Sequence, residues 1–241
     1  MTKKGLRPVT LAIDSAGSAC SAVVAAGDTI LSAERVEGSH GQAEALMPMV
    51  DYTMRKAGLP PAALDLVVTT VGPGSFTGIR VGLAAARGIA LSTSAQLAGV
   101  SSFEAVAFGL AQPDDGDLRF VLVALESRRE DIYVQLFDRL RVAVGQPAAV
   151  MPATLGTAVS AAIGAAPLLI AGDAAQRAAL ALAKYADASI LEGSAPDAVG
   201  ALRAGLHRWR GERVEAPQPL YLRPPDVTLS SGHQRWPSSR A

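Results

Sequence analysis

The chain has 241 residues, 49% of them hydrophobic and 18% charged, a balance that belongs to an ordered protein with a sizeable core. Lysine plus arginine and aspartate plus glutamate both number 22, so there is no overall basic field to grip a polyanion unaided. One cysteine excludes an internal disulfide framework and a cysteine-based zinc site.

The first apolar run, 9–13, reads as a strand ending at Asp14 and is too short for a signal peptide or membrane span, which places the protein in the cytoplasm. Strands at 19–26 and 29–36 follow, with Gly27-Asp28 as the turn between them. After Ser39, the residues Ala43, Leu46, Met47, Val50 and Met54 recur at helical spacing, with Pro48 predicting a kink or a later helix start. A buried strand at 66–71 runs into Gly72-Pro73-Gly74-Ser75-Phe76-Thr77-Gly78 and a helix to about Leu91; a strand at 97–100 and a helix at 102–110 follow. Ser75 has the position and chemistry of a helix N-cap. A serine-hydrolase elbow is excluded there by the Gly-Ser spacing and the lack of a catalytic histidine.

Pro113-Asp114-Asp115-Gly116-Asp117 marks a boundary, after which the pattern restarts. Strands are expected at 119–125, 131–139 and 140–150, then a helix at 153–163, a strand at 168–171, and helices at 174–183 and 195–209. Two series of strands, each followed by alternating helices, predict a duplicated α/β fold of two lobes, 1–112 and 113–217. A returning segment at 218–227 is expected to close on the first lobe, and the Ser/Pro/Arg-rich tail at 228–241 to be disordered.

Three histidines are present. His233 lies in the tail, His207 on the polar face of a helix, and His40 beside a helix start without a sequence-adjacent catalytic partner. Cys20, among small residues with no nearby base, reads as core. Gly78, Gly82, Ala85, Ala86 and Ile89 form a small-residue stripe, suited either to the protein's own sheet or to the close approach of another helix.

The strand ending in Asp14 and the Gly-Pro-Gly turn into a helix resemble the actin/Hsp70/hexokinase (ASKHA, RNase H-like) superfamily. There, phosphate is held between two lobes by hairpin loops and helix N-termini. On that resemblance Asp14, Ser15, Gly17 and Asp173 are vestigial nucleotide-cleft candidates. Gly72 to Gly82, Ser39-His40 before Leu46-Met47-Pro48, Gly99-Val100-Ser101-Ser102-Phe103-Glu104 and Pro219-Leu220-Tyr221-Leu222-Arg223 together resemble the TsaB (YeaZ) family. The second lobe is poorly marked, and Glu126-Ser127-Arg128-Arg129-Glu130 departs from the Asp-Ala-Arg expected there. TsaD, the paralogous threonylcarbamoyltransferase, carries two metal-holding histidines four residues apart. Ser102 and Val106 stand in those positions here.

The resemblance implies a non-catalytic subunit in the synthesis of tRNA N6-threonylcarbamoyladenosine, with no metal and no cofactor. It implies TsaD as direct partner, TsaE and tRNA reached through the complex, and a homodimer when the protein is alone. The implied partner interface is a helix bundle involving His40, Leu46, Met47, Val50, Gly78, Gly82 and Ala86. The alternatives are an active ATPase or kinase of the same superfamily, and a metalloprotease.

Overall fold

The computed structural model describes residues 7–38, 42–111, 120–184, 188–209 and 216–223. Ser39 and His40, the boundary segment at 113–117, and everything beyond Arg223, including His233 and the expected tail, lie outside the described residues.

The first half runs β1 (Val9–Asp14), β2 (Ala19–Ala26), β3 (Thr29–Glu37), α1 (Gln42–Lys56), β4 (Leu66–Thr70), α2 (Phe76–Thr93), β5 (Gln96–Val100) and α3 (Ser102–Gly109). The second repeats that order: β6 (Phe120–Glu126), β7 (Ile132–Phe137), β8 (Ala143–Val150), α4 (Pro152–Ile163), β9 (Leu168–Ala171), α5 (Ala175–Leu182), β10 (Ala188–Ile190) and α6 (Ala198–Arg208). The sheets are ordered β3-β2-β1-β4-β5 and β10-β9-β6-β7-β8, so each strand of one has its counterpart in the other. In both, an antiparallel meander feeds parallel strands through helical crossovers, giving the two-lobed actin-like architecture. β10 has only three residues, too few for a periodic signal, and the sequence reading has no strand there. Pro48 does not delay α1, which begins at Gln42 and continues through it.

Side chains alternate across each sheet. Leu11 and Ile13 of β1 face Leu46, Val50 and Met54 of α1 and Ala86 and Ala90 of α2. Ala12 faces the other way, toward Ala201 and Leu202 of α6. In the second half, Leu122 and Ile132 pack under α4 and α5, while Val121, Val123 and Phe137 meet Phe103 and Val106 of α3 and Leu110 at its C-cap. The lobes have therefore exchanged helices. α6, assigned by sequence to the second lobe, covers the inner face of the first sheet, and α3 covers that of the second.

α3 and α6 pack directly on each other between the sheets. Gly200 is the closest point: a Cβ there would lie 1.9 Å from the carbonyl oxygen of Ala105 and 3.2 Å from Gly109 Cα. The obstacle is backbone and cannot rotate away. Gly200→Ala should therefore destabilise the protein by about 1–3 kcal/mol in urea unfolding, despite alanine's better helix propensity. Gly88→Ala in α2 provides the control. Its Cβ would enter open space, so it should stabilise by up to about 1 kcal/mol.

Candidate functional site

The site is assembled where the turns after β1, β4, β6 and β9 converge between the lobes. Ser75 caps α2, its Oγ accepting the Gly78 N–H at 3.2 Å. The Gly-Pro-Gly turn leans on the β1–β2 turn: Ser75 N–H donates to the Ala16 carbonyl at 2.7 Å. At Gly74 a Cβ would sit 2.2 Å from that same oxygen. Ser15 Oγ reaches the Gly78 carbonyl at 2.9 Å. The conspicuous motif is thus a lock between two turns of one lobe.

A cleft of about 590 Å³ opens above this lock, lined by Gly17, Ser18, Gly74 and Ser75 on one side and by Ser127, Arg128 and Asp173 on the other. Of the four sequence-based cleft candidates, Gly17 and Asp173 line it together. Asp14 and Ser15 lie beneath it, each 1% exposed. Asp173 accepts the Glu126 N–H at 2.9 Å, and its pKa is raised chiefly by burial. Glu126, in the poorly marked second lobe, is ion-paired with Arg177, which also donates to the carbonyls of Arg129 and Glu130 at 3.1 and 2.8 Å. Arg177 therefore braces the β6–β7 turn, a role that no local pattern announces.

Asp14 is enclosed. Its Oδ1 accepts Thr70 Oγ1 at 2.5 Å and the Ala16 N–H at 3.2 Å, while its Oδ2 has no hydrogen-bond partner among the described residues. Burial is the main cause that lifts its pKa to about 6; Thr70 and Ala16 oppose the shift, and the nearby negative charge of Asp197 adds to it. Cys20 is buried too, and burial followed by the charge of Asp14 pushes its thiol up to about 11, the setting of a packing residue.

Ser102 and Val106 are 0% and 2% exposed. Val106 belongs to the apolar contact between α3 and the second sheet. The stretch before it is a capping box: Ser101 Oγ accepts the Glu104 N–H at 3.1 Å, and Glu104 Oε2 accepts the Ser101 N–H at 2.8 Å. Among the described residues no group of three or more His, Cys, Asp or Glu side chains is placed to hold a metal ion. No helix among them is long and apolar enough to cross a membrane.

The expected interface residues differ in their exposure within the chain. Leu46, Val50, Gly78, Gly82 and Ala86 are buried in their own lobe. A Cβ at Gly82 would lie 2.6 Å from Ser15 Oγ and 3.4 Å from Thr69 Oγ1, so this small-residue stripe admits the protein's own β1–β2 turn and sheet. The outer surface carries Met47, one of the expected residues, and others that the sequence reading does not single out. Met47 is 48% and Leu91 86% exposed, with Ala84 and Gly88 exposed on the same side of α2 as Leu91. The small outward residues are as legible in sequence as the inward ones; what the sequence lacks is which set the sheet will claim.

A family model described as "TsaD: tRNA N6-adenosine threonylcarbamoyltransferase" matches residues 36–161, slightly more than half of the chain. An uncharacterized protein of Mycobacterium tuberculosis is 33% identical over 223 residues, covering 90% of this chain and 92% of its own. The tRNA threonylcarbamoyladenosine biosynthesis protein TsaB of Escherichia coli is 33% identical over 129 residues, 54% of each chain. Among solved structures, a Pseudomonas aeruginosa protein described as similar to peptidase YEAZ superposes with a TM-score of 0.77 at 26% identity, covering 90% of this chain and 100% of its own.

The buried carboxyl of Asp14 makes stability depend on pH. Its pKa in the fold, about 6, exceeds the ordinary 3.8, so the folded state favours the proton. The resulting contribution is fully present below pH 4 and is lost as pH rises through 6. Asp14→Asn keeps a neutral, nearly isosteric group at every pH. Relative to wild type, the variant should gain on the order of 3 kcal/mol between pH 4 and pH 7 in denaturant unfolding. Parallel curves for the two proteins would show that the carboxyl is not titrating in the fold.

Proposed function

The chain belongs to the TsaB (YeaZ) family, and from that premise we propose that it is a non-catalytic subunit in tRNA N6-threonylcarbamoyladenosine synthesis, binding and supporting a TsaD threonylcarbamoyltransferase. TsaE and tRNA are reached through that complex, a second copy occupies the same face when TsaD is absent, and the setting is the cytoplasm. The protein itself needs no metal or cofactor.

The observation that carries this reading is the outer face of α1 and α2. Met47 of α1 and Leu91 of α2 are large, apolar and exposed, and α2 also presents Ala84 and Gly88 on the side of Leu91. A Cβ at Gly88 would meet nothing within 4 Å, so nothing in the protein's own packing requires a glycine there. An exposed glycine in mid-helix weakens the helix by roughly 1 kcal/mol relative to alanine, and close approach of a partner helix is the use that offsets it. The burial of Val106 in the apolar contact with the second sheet, and of Ser102 beside it on α3, supports the non-catalytic part of the reading.

The test is binding to TsaD. Gly88→Leu and Ala84→Leu should fold as wild type and bind TsaD up to roughly 100-fold more weakly, because overpacking of about 1–3 kcal/mol falls on the complex. Gly82→Leu should instead unfold the isolated chain by driving a side chain into Ser15. Unchanged TsaD affinity in folded Gly88→Leu would place the interface elsewhere.

The cleft between the lobes favours one second reading, a working ATPase of the same superfamily, because Gly17 and Asp173 line it together. Pure protein is expected to show no ATP turnover; turnover that disappears in Asp173→Ala would establish that reading in place of the scaffold.

A further inference from the structure

Residues 216–223 follow α6 without regular secondary structure, yet they are anchored along their length. The Leu220 N–H donates to the Val71 carbonyl at 2.7 Å, and Arg87 of α2 donates to the Pro217 carbonyl at 2.8 Å. Two glycines make room for the segment. A Cβ at Gly99 would lie 2.5 Å from Pro217 Cβ, and one at Gly72 2.8 Å from the Leu220 carbonyl oxygen. The Tyr221 ring packs on Phe76 with centroids 5.2 Å apart, and the Arg80 guanidinium lies 3.6 Å from the Phe76 ring centre while its Nε donates to Tyr221 Oη at 3.3 Å. All of these anchors belong to the first lobe.

Two residues later the chain reaches the other lobe. Arg223 forms an ion pair with Asp131 at the end of the β6–β7 turn. Asp131 is 2% exposed, and its Oδ1 accepts Ser127 Oγ at 2.8 Å from the start of that turn. A carboxylate so enclosed is costly without a compensating cation, and among the described residues Arg223 is the one paired with it. Ser127 lines the cleft described above. It also lines an adjoining groove of about 340 Å³, whose other walls include Phe76, Tyr221 and Arg223.

We propose that residues 216–223 are a clasp between the lobes: seated on α2 and the Gly-Pro-Gly turn, the segment uses Arg223 to position the β6–β7 turn and so sets the mouth of the inter-lobe cleft. Arg223 and Tyr221 are positioning residues in this device. The clasp acts without reference to any ligand, because its anchors are all parts of this chain. Drawing residues 220–223 away frees the turn at 127–131 while leaving the two sheets and the α3–α6 contact intact.

Hydrogen exchange followed by mass spectrometry on the full chain tests this. Arg223→Gln should speed exchange in peptides covering 127–131 by about tenfold while β1 keeps its protection. Tyr221→Ala, which alters the clasp at its seat on the first lobe, should speed the same second-lobe peptides. Asp131→Asn removes the charge that needs compensation, so adding Arg223→Gln to it should change exchange less than twofold further. Unchanged exchange at 127–131 in both Arg223→Gln and Tyr221→Ala would overturn the proposal. Acceleration spread equally through β1 would overturn it as well, since the segment would then be an ordinary part of the core.

Discussion

The contact between α3 and α6 is the constraint on which the rest of the molecule depends. Each helix lies over the sheet of the other half, and they meet where Gly200 faces the backbone of Ala105 and Gly109. Ridges of side chain would hold two helices some 8–10 Å apart; glycine and alanine at the crossing let the axes come closer. Because α3 completes the second core and α6 completes the first, neither lobe has a finished hydrophobic core alone.

The cleft between the lobes is bounded by turns that hold one another. Turns that in an anion-binding site would point N–H groups at a ligand are engaged with each other: Ser75 with Ala16, Ser15 with Gly78, Asp173 with the Glu126 amide. The carboxyl that ends β1 lies beneath the cleft floor and favours its proton. On α3, Ser102 and Val106 are both buried, Val106 within the apolar contact with the second sheet. The turns around the cleft are thus held by contacts within the chain itself.

α2 has a different neighbour on each side. One side packs on the sheet through Ala86 and Ala90, another meets α1, and Arg80 and Arg87 seat the C-terminal segment. What remains outward includes Ala84, Gly88 and the exposed Leu91. A single helix thus joins core, clasp and candidate partner face, and the density of small residues along it reflects several close approaches at once.

Local chemistry was legible in the sequence. Ser75 and Ser101 announce helix starts because capping depends only on residues within one turn. The strands at 9–13 and 19–26 are readable because apolar runs bounded by turns need no knowledge of their neighbours. The order of elements, apart from β10, followed from the same signals, and the repeated order implied two lobes. The tertiary structure alone decided which sheet α6 covers, that Gly78 and Gly82 face inward while Gly88 faces out, that Asp14 is sealed below the cleft rather than lining it, and that Arg177 and Arg223 hold one turn from opposite directions. The physical reason is common to all four. Helical spacing states which residues share a face, but the partner of that face is chosen by segments far away in the chain, and burial, charge compensation and close backbone approach exist only once those segments have met.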